Sequence, residues 1–136
     1  MYATSRASVM RHYRDSSNAA VLCDASPHRL IAMLYDGALE RLAHGVDAIE
    51  KNDVTGKLRS VQSAMAIIEY LRAILDHAAG GELSRRLEML YDYMLRRLLS
   101  ANSSNDPAAL REVMQLLMTV KSGWDGIVTT PEAAAA

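Results

Sequence analysis

The chain has 136 residues, a formal net charge of −1 and 50% hydrophobic residues. One domain accounts for this length, and such a domain buries roughly two-thirds of its unfolded surface without a stabilising metal or disulfide. The balanced charge argues against nucleic-acid binding, and the single Cys23 excludes an internal disulfide. No apolar run is long enough for membrane insertion, and the N-terminus lacks a signal-peptide pattern. These features predict a cytoplasmic protein.

Residues 1–25 form the first region and are mostly polar. They are too polar to build their own core, so we expect a tail that either docks loosely or remains mobile. The structured part is expected at 26–128, and a disordered end at 129–136. The tail residues predicted to dock are Val9, Met10 and Tyr13.

Local signals divide the structured part into four long helices. Ser26-Pro27 and Asp106-Pro107 each combine an N-cap residue with a proline at the first helical position. Asn52-Asp53 marks a break, and Gly80-Gly81 is expected to end the second helix. The predicted helices cover about 28–51, 54–78, 82–101 and 107–128. Nearly equal helices joined by short loops favour an all-α, antiparallel up-down four-helix bundle.

Two helices show the apolar spacing of bundle packing, in steps of three and four residues. In the third helix these positions are Leu83, Leu87, Leu90, Met94, Leu98 and Ala101. In the last helix they are Leu110, Val113, Leu117, Val120, Trp124 and Ile127. Trp124 is therefore predicted to be largely buried, and its replacement by Ala is expected to cost about 3–5 kcal/mol.

The helices carry more apolar surface than this packing requires. In the second helix the apolar side chains cover roughly 200° of the helix circumference, whereas a helix on a protein surface needs an apolar face of only about 100°. Ile67 and Ile74 lie beyond the main stripe, so Asp at either position is expected to weaken binding without unfolding the bundle. Half-burial or a dimer contact is one explanation, and a groove for another apolar helix is the other. The candidate binding residues are Ile67, Leu71, Ile74, Tyr91, Leu95, Leu99, Met114 and Met118.

The sequence carries no signal for catalysis or for a cofactor. Its histidines are scattered, without the Glu-x-x-His pairs of di-iron bundles, and no glycine-rich loop follows a strand. We therefore predict no catalytic residue, no cofactor and no metal site. A small-molecule or metal-binding bundle enzyme and a structural oligomerisation module remain the competing classes.

Two Leu-Tyr-Asp segments help to decide among these classes of protein. One begins at Leu34 and the other at Leu90. Further motifs follow in a fixed order between Tyr13 and Ile127. They are Ser26-Pro27-His28-Arg29-Leu30-Ile31, Met33-Leu34-Tyr35-Asp36-Gly37-Ala38, Ile67-Ile68, Gly80-Gly81-Glu82, Leu90-Tyr91-Asp92-Tyr93-Met94, Arg96-Arg97-Leu98 and Trp124. In this order and spacing the chain resembles the flagellar secretion chaperones, the FliS family that escorts flagellin.

The resemblance implies a cytosolic, non-enzymatic helical bundle whose client is the C-terminal segment of flagellin. The chaperone would cover this segment, prevent premature polymerisation and support delivery to the flagellar type III export apparatus. The resemblance also implies that the tail lies over part of the groove, and that Tyr13 contacts an export-gate component. We further expect a monomer or weak homodimer, without nucleic-acid binding or membrane insertion.

Overall fold

The computed structural model describes residues 26–126, which form four α-helices. These are α1 (Pro27–Glu50), α2 (Val54–Ala73), α3 (His77–Ser104) and α4 (Pro107–Asp125). The predicted all-α fold with four helices is confirmed over this range. The predicted tail at 1–25, with Val9, Met10 and Tyr13, lies outside the described residues, as does the predicted end at 129–136.

Three helices begin where the capping signals predict. The side chains of Ser26, Asp53 and Asp106 each accept a hydrogen bond from a backbone N–H two or three residues later, at 2.9 to 3.2 Å. Such caps satisfy N–H groups that have no partner within the first turn of a helix. Local side-chain chemistry therefore determines the starts of α1, α2 and α4.

The boundary between α2 and α3 differs from the prediction. The second helix ends at Ala73 instead of near position 78, and α3 begins at His77 instead of near position 82. Asp76 is the reason, because its Oδ1 accepts from the N–H of Ala79 at 3.0 Å and so caps a new helix. Gly81 then interrupts α3 after one turn, with φ 54° and ψ −124°, a conformation that favours glycine.

The C-terminal end of α3 also extends beyond the prediction, to Ser104. The hydroxyls of Ser103 and Ser104 donate to the carbonyl of Ser100 at 3.0 and 2.9 Å, so these polar residues extend the helix. Asn105 ends it in the left-handed conformation, with φ 54°.

Contacts between helix ends give the arrangement of the bundle. Lys57 near the start of α2 contacts Asn102 near the end of α3, and His28 at the start of α1 contacts Trp124 at the end of α4. Each of these helix pairs is therefore antiparallel. Both α1 and α3 pack against α2 and α4, and the interface between α1 and α2 is the most extensive.

The core receives buried apolar side chains from every described helix. The spacing in α4 is confirmed for its first three positions, whereas Leu83 of α3 is 54% exposed and lies outside the core. A Cβ on Gly45 would lie 3.2 Å from Cδ1 of Leu110, so this glycine permits close packing of α1 on α4. The fully buried residues include Ala38, Leu42, Val61, Ile67, Ile68, Met94, Leu98, Leu110, Val113 and Leu117.

Candidate interaction surface

The two Leu-Tyr-Asp segments meet inside the bundle. The hydroxyl oxygens of Tyr35 and Tyr91 are 2.6 Å apart, and the two residues are 2% and 1% exposed. Burial raises the pKa of both phenols above the ordinary value of 10.0, so both are protonated at neutral pH and one donates to the other. Tyr91, predicted as a binding residue, therefore lies in the core and is not accessible on the surface.

Two further candidates, Ile67 and Leu71, also belong to the core, because both are almost completely buried. Ile67 comes two helical turns after Ser60 and shares its face, and Ser60 lies beside Gly45 of α1. The expectation that Ile67 lies outside the packed face is therefore wrong. Asp at this position would bury an unpaired charge, so we expect unfolding instead of a selective binding defect.

Two contacts determine how α2 and α3 are aligned. At one end, the Nζ of Lys57 donates to the carbonyl of Asn102 at 2.8 Å. At the other, the Nε of Arg72 lies 2.6 Å from Oδ1 of Asp92. These contacts mark the two ends of the surface between the helices.

Apolar side chains follow the line between those contacts, along which α2 and α3 meet. Leu58 and Met65 precede Arg72 at intervals of seven residues, so they face α3 as Arg72 does. Leu95 and Leu99 lie between Asp92 and Asn102 on the face of α3 that contacts α2. Met65 and Leu95 are half-buried against the core, whereas Leu58 and Leu99 are exposed. We call Leu58, Met65, Leu95 and Leu99 the α2–α3 groove.

The two candidate methionines lie on another face. Lys121 joins α4 to α1 through an ion pair of 3.2 Å with Asp36. Met118 is three residues before Lys121, and Met114 is four residues before Met118, so both lie on the side of α4 nearest α1. Met118 is exposed and Met114 is half-buried. These methionines are therefore separate from the α2–α3 groove.

The remaining candidate, Ile74, lies at the rim of an apolar cleft at one end of the bundle. We call this the end cleft, and its internal space is about 60 Å³. Ile74 and Leu83 are exposed at its rim, and the two hydrogen-bonded tyrosines lie deeper within it. The lining residues are Ile31, Tyr35, Leu71, Ile74, Leu75, Leu83, Ser84, Leu87, Tyr91 and Trp124.

Trp124 connects α4 to α1 beside the end cleft. Its ring stacks on that of His28 with centroids 4.7 Å apart, and its Nε1 donates to the carbonyl of His28 at 2.9 Å. The Nε2 of His28 makes the reciprocal contact, at 3.0 Å from the carbonyl of Trp124. Trp124 is partly buried and packs against the core, so the prediction of a largely buried indole holds in part.

The opposite side of α3 is occupied by polar contacts with α4. The hydroxyl of Tyr93 donates to Glu112 at 2.6 Å, and Nε of Arg97 donates to the same carboxylate at 2.7 Å. Both hydrogen bonds lower the pKa of Glu112, and the first raises the pKa of Tyr93. The interface of α3 with α4 thus contains a charged network, in contrast to the apolar α2–α3 groove.

Comparison with known proteins places this fold in a family. The family model described as flagellar protein FliS matches residues 9–131. The chain belongs to the FliS family. Flagellar secretion chaperone FliSB of Pseudomonas aeruginosa is 48% identical over 118 residues, covering 87% of this chain and 94% of that protein. Flagellar secretion chaperone FliS of Salmonella typhimurium is 41% identical over 129 residues, 94% of each chain.

Two further observations concern residues 26–126 of this FliS-family chain. No group of three or more His, Cys, Asp or Glu side chains in this range is arranged to hold a metal ion. None of the helices in the same range is long and apolar enough to cross a membrane.

Sequence reasoning missed one prominent residue of the FliS-family bundle, Lys57. This lysine is only 7% exposed, and its Nζ donates to the carbonyl of Asn102 and, at 2.5 Å, to Oδ1 of Asn105. A signal was present, because Lys57 lies four residues before Val61 on the buried face of α2. A lysine in that apolar stripe requires a buried polar partner.

Proposed function

We propose that this protein is a flagellar secretion chaperone that binds the C-terminal segment of flagellin in the cytoplasm. Its relatives are named flagellar secretion chaperones. The observation that carries the proposal is the open α2–α3 groove, whose apolar residues have no covering helix among residues 26–126. Binding there keeps the client from premature polymerisation and supports its delivery to the export apparatus, so the protein acts by association and not by catalysis.

The dimensions of the groove suit an amphipathic helix. Leu58 and Met65 are seven residues apart, or about 10 Å along α2, which matches apolar anchors two turns apart on a client helix. A segment that folds on binding commonly buries about 1,000–3,000 Å², more than two helical turns supply. We therefore assign Met114 and Met118, with their adaptable side chains, to a second contact with the same client.

The tail has a separate part in the proposal. Val9, Met10 and Tyr13 cover part of the groove in the free protein, and Tyr13 also contacts the export-gate component. A covering tail lowers the apparent affinity by the fraction of molecules whose groove is open. Deleting residues 2–14 should then speed flagellin association in stopped-flow measurements. Unchanged association rate and affinity would exclude the tail from the binding mechanism.

The client assignment is tested by calorimetry with purified flagellin. Full-length flagellin should bind one to one and gain helicity on binding, as circular dichroism would show. Flagellin without its C-terminal segment should give no binding heat. Equal heats from the two forms would contradict the assignment. A discrete self-dimer that gives no heat with flagellin would instead favour the oligomerisation module.

The surface assignment is tested with two matched variants of α3. Leu99 and Met89 are 64% and 66% exposed, but Met89 is on the outward face beside Arg85 and Arg96. Leu99→Asp should weaken flagellin binding by about 10- to 100-fold, since one buried leucine contributes about 1.5–3 kcal/mol. Met89→Asp should leave the affinity unchanged, and an equal loss in both variants would exclude the groove.

The methionine contact has its own test. Met118→Asp should weaken flagellin binding less than Leu99→Asp, because the client retains the α2–α3 groove. Analytical ultracentrifugation of the same samples measures the oligomeric state, for which we propose a monomer or weak homodimer. An unchanged affinity for Met118→Asp would remove the α4 face from the client site and leave the groove assignment intact.

A further inference from the structure

The side of α3 that faces away from the bundle carries an exposed methionine among three arginines. Met89 is 66% exposed, and the side chains of Arg85 and Arg86 are 67% and 76% exposed. Arg96 is also exposed and lies two turns after Met89, so it shares this side of the helix. We call these four residues the outer α3 face. Methionine and arginine are both enriched where proteins bind one another.

Two acids that alternate with these arginines in the sequence are directed elsewhere by the structure. Glu88 and Asp92 turn towards α2, where Arg72 lies 3.7 Å from the first and 2.6 Å from the second. Arg96 loses its nearest acid in this way, because Asp92 is one helical turn before it. Within residues 26–126, Arg96 therefore forms no hydrogen bond or ion pair.

A surplus of positive charge remains on the outer α3 face. Glu82 stays on this side, and its two carboxylate oxygens lie 2.6 Å from Arg85 and 3.2 Å from Arg86. Three guanidinium groups thus share one carboxylate. Both ion pairs are highly exposed and contribute little to stability, so these arginines exchange Glu82 for another acid at little cost.

A second copy of this chain does not provide the missing acids. The exposed acids of α1 each lie in an ion pair already, so α1 presents balanced charge to the solvent. These pairs are Asp36–Lys121, Glu40–Arg41, Asp47–Lys51 and Glu50–Arg111. A contact between different faces of two copies also tends to propagate into an open chain of molecules. A partner other than this chain therefore fits the outer α3 face better.

We propose that the outer α3 face binds an acidic amphipathic segment of a partner protein. Carboxylates of that segment pair with Arg85 and Arg96, which are about 16 Å apart along α3, and an apolar side chain between them packs on Met89. A nucleic acid fits less well, because contacts to about six to ten phosphates require a larger surplus of charge and leave Met89 without a role. This contact goes beyond the proposed flagellin site, from which Met89 is excluded.

Fluorescence anisotropy with a labelled helical peptide tests the proposal. A peptide of about 18 residues is about 27 Å long and spans the outer α3 face. It carries one leucine with glutamates on either side, and a matched peptide carries lysines instead. The full-length chain should bind the acidic peptide and not the basic one, and added salt should weaken the binding. Arg85→Gln with Arg96→Gln should weaken it about 3- to 30-fold, the combined effect of two exposed ion pairs.

The matched control is Arg29→Gln with Arg59→Gln, because both arginines are exposed and the net charge changes equally. This variant should retain the affinity of the unmodified chain. Met89→Ala and the replacement of the peptide leucine by alanine should each weaken binding. The two changes together should cost less than the sum of their separate effects, because they remove the same contact. Every substituted side chain of the protein is exposed, so circular dichroism should show an unchanged fold.

Equal losses in the two double variants would overturn the proposal, because net charge alone would then explain the binding. Failure to bind the acidic peptide at low salt would overturn it as well. Tighter binding of a short duplex DNA would instead assign the arginines to phosphates. Self-association that Arg85→Gln with Arg96→Gln abolishes would identify a second copy as the partner. Flagellin is absent from these measurements, so their outcome is independent of the proposed function.

Discussion

The two ends of the bundle are built by different means. At one end, which we call the capped end, short loops carry the N-caps Asp53 and Asp106, and the buried Lys57 binds the end of α3. At the other end lie the end cleft, the kink at Gly81 and the stacked pair of His28 and Trp124, which are 96 positions apart in sequence.

The two ends differ in how far apart in the sequence their stabilising residues lie. The capped end depends on polar groups satisfied within a few residues, with one lysine acting across two helices. The cleft end also has local caps, at Ser26 and Asp76, but it depends in addition on contacts that exist only after the helices have assembled, and its apolar rim is incompletely covered by the described residues. Four substitutions test this contrast between the ends.

Lys57→Met should have the largest effect, a loss of about 3 kcal/mol in the free energy of unfolding measured with urea. Methionine retains much of the side-chain volume but leaves the carbonyl of Asn102 without its donor, and an unsatisfied buried group costs about 1–3 kcal/mol, whereas Asn105 is exposed. Lys51→Met is the control, because Lys51 is exposed in a surface ion pair with Asp47 and should change stability by less than about 1 kcal/mol. Equal losses would show that Lys57 has no special role at the capped end.

Trp124→Ala should cost about 2–3 kcal/mol, below the range for a fully buried aromatic, because the ring is half-buried. Trp124→Phe retains a stacking ring and loses only the hydrogen bond to the carbonyl of His28, so its loss should be smaller. Denaturant titration followed by circular dichroism measures both. A loss under about 1 kcal/mol for Trp124→Ala would mean that the indole contributes little to the cleft end.

Gly81→Ala should destabilise the cleft end by about 1–2 kcal/mol, because its positive φ is strained for a residue with a Cβ. Gly123→Ala is the matched control, since Gly123 is helical and a Cβ there meets no atom within 4 Å. It should stabilise the protein by about 0.5–1 kcal/mol, because alanine favours helix more than glycine does. Thermal unfolding measures the stability of both variants. A stabilising effect of Gly81→Ala would contradict the kink assigned to this position.

Tyr35→Phe should have the smallest effect, about 1 kcal/mol, because it leaves the hydroxyl of Tyr91 without its partner. Adding Tyr91→Phe should cost less than the separate effects together, since the double variant leaves no unpaired hydroxyl. A strictly additive double-mutant cycle would mean that the hydrogen bond does not couple the two residues.

The same tyrosines predict a pH dependence. Burial raises the folded-state pKa of both, so their contribution to stability is fully present below the unfolded value of 10.0 and is lost as pH rises above it. The free energy of unfolding should therefore fall on the alkaline side of that value. The double phenylalanine variant should show a shallower decline.

The local sequence predicted the capped end well. Asn52-Asp53 and Asp106-Pro107 specify helix starts through hydrogen bonds between near neighbours, and no distant residue is needed. The same reasoning failed at Gly80-Gly81, which resembles a helix stop. There the cap formed by Asp76 starts α3 earlier, and Gly81 becomes a kink inside it.

The helical class, most of the caps and the apolar stripe of each helix could be predicted from the chain alone, because they depend on residues within a few turns of one another. Which edge of a wide stripe is buried depended on the packing of the helices. Ile67 is covered because α2 packs most extensively against α1, whereas Leu58 is exposed on the side facing α3. Helical periodicity gives the angle of a side chain around its own helix, but burial depends on how closely the neighbouring helix approaches.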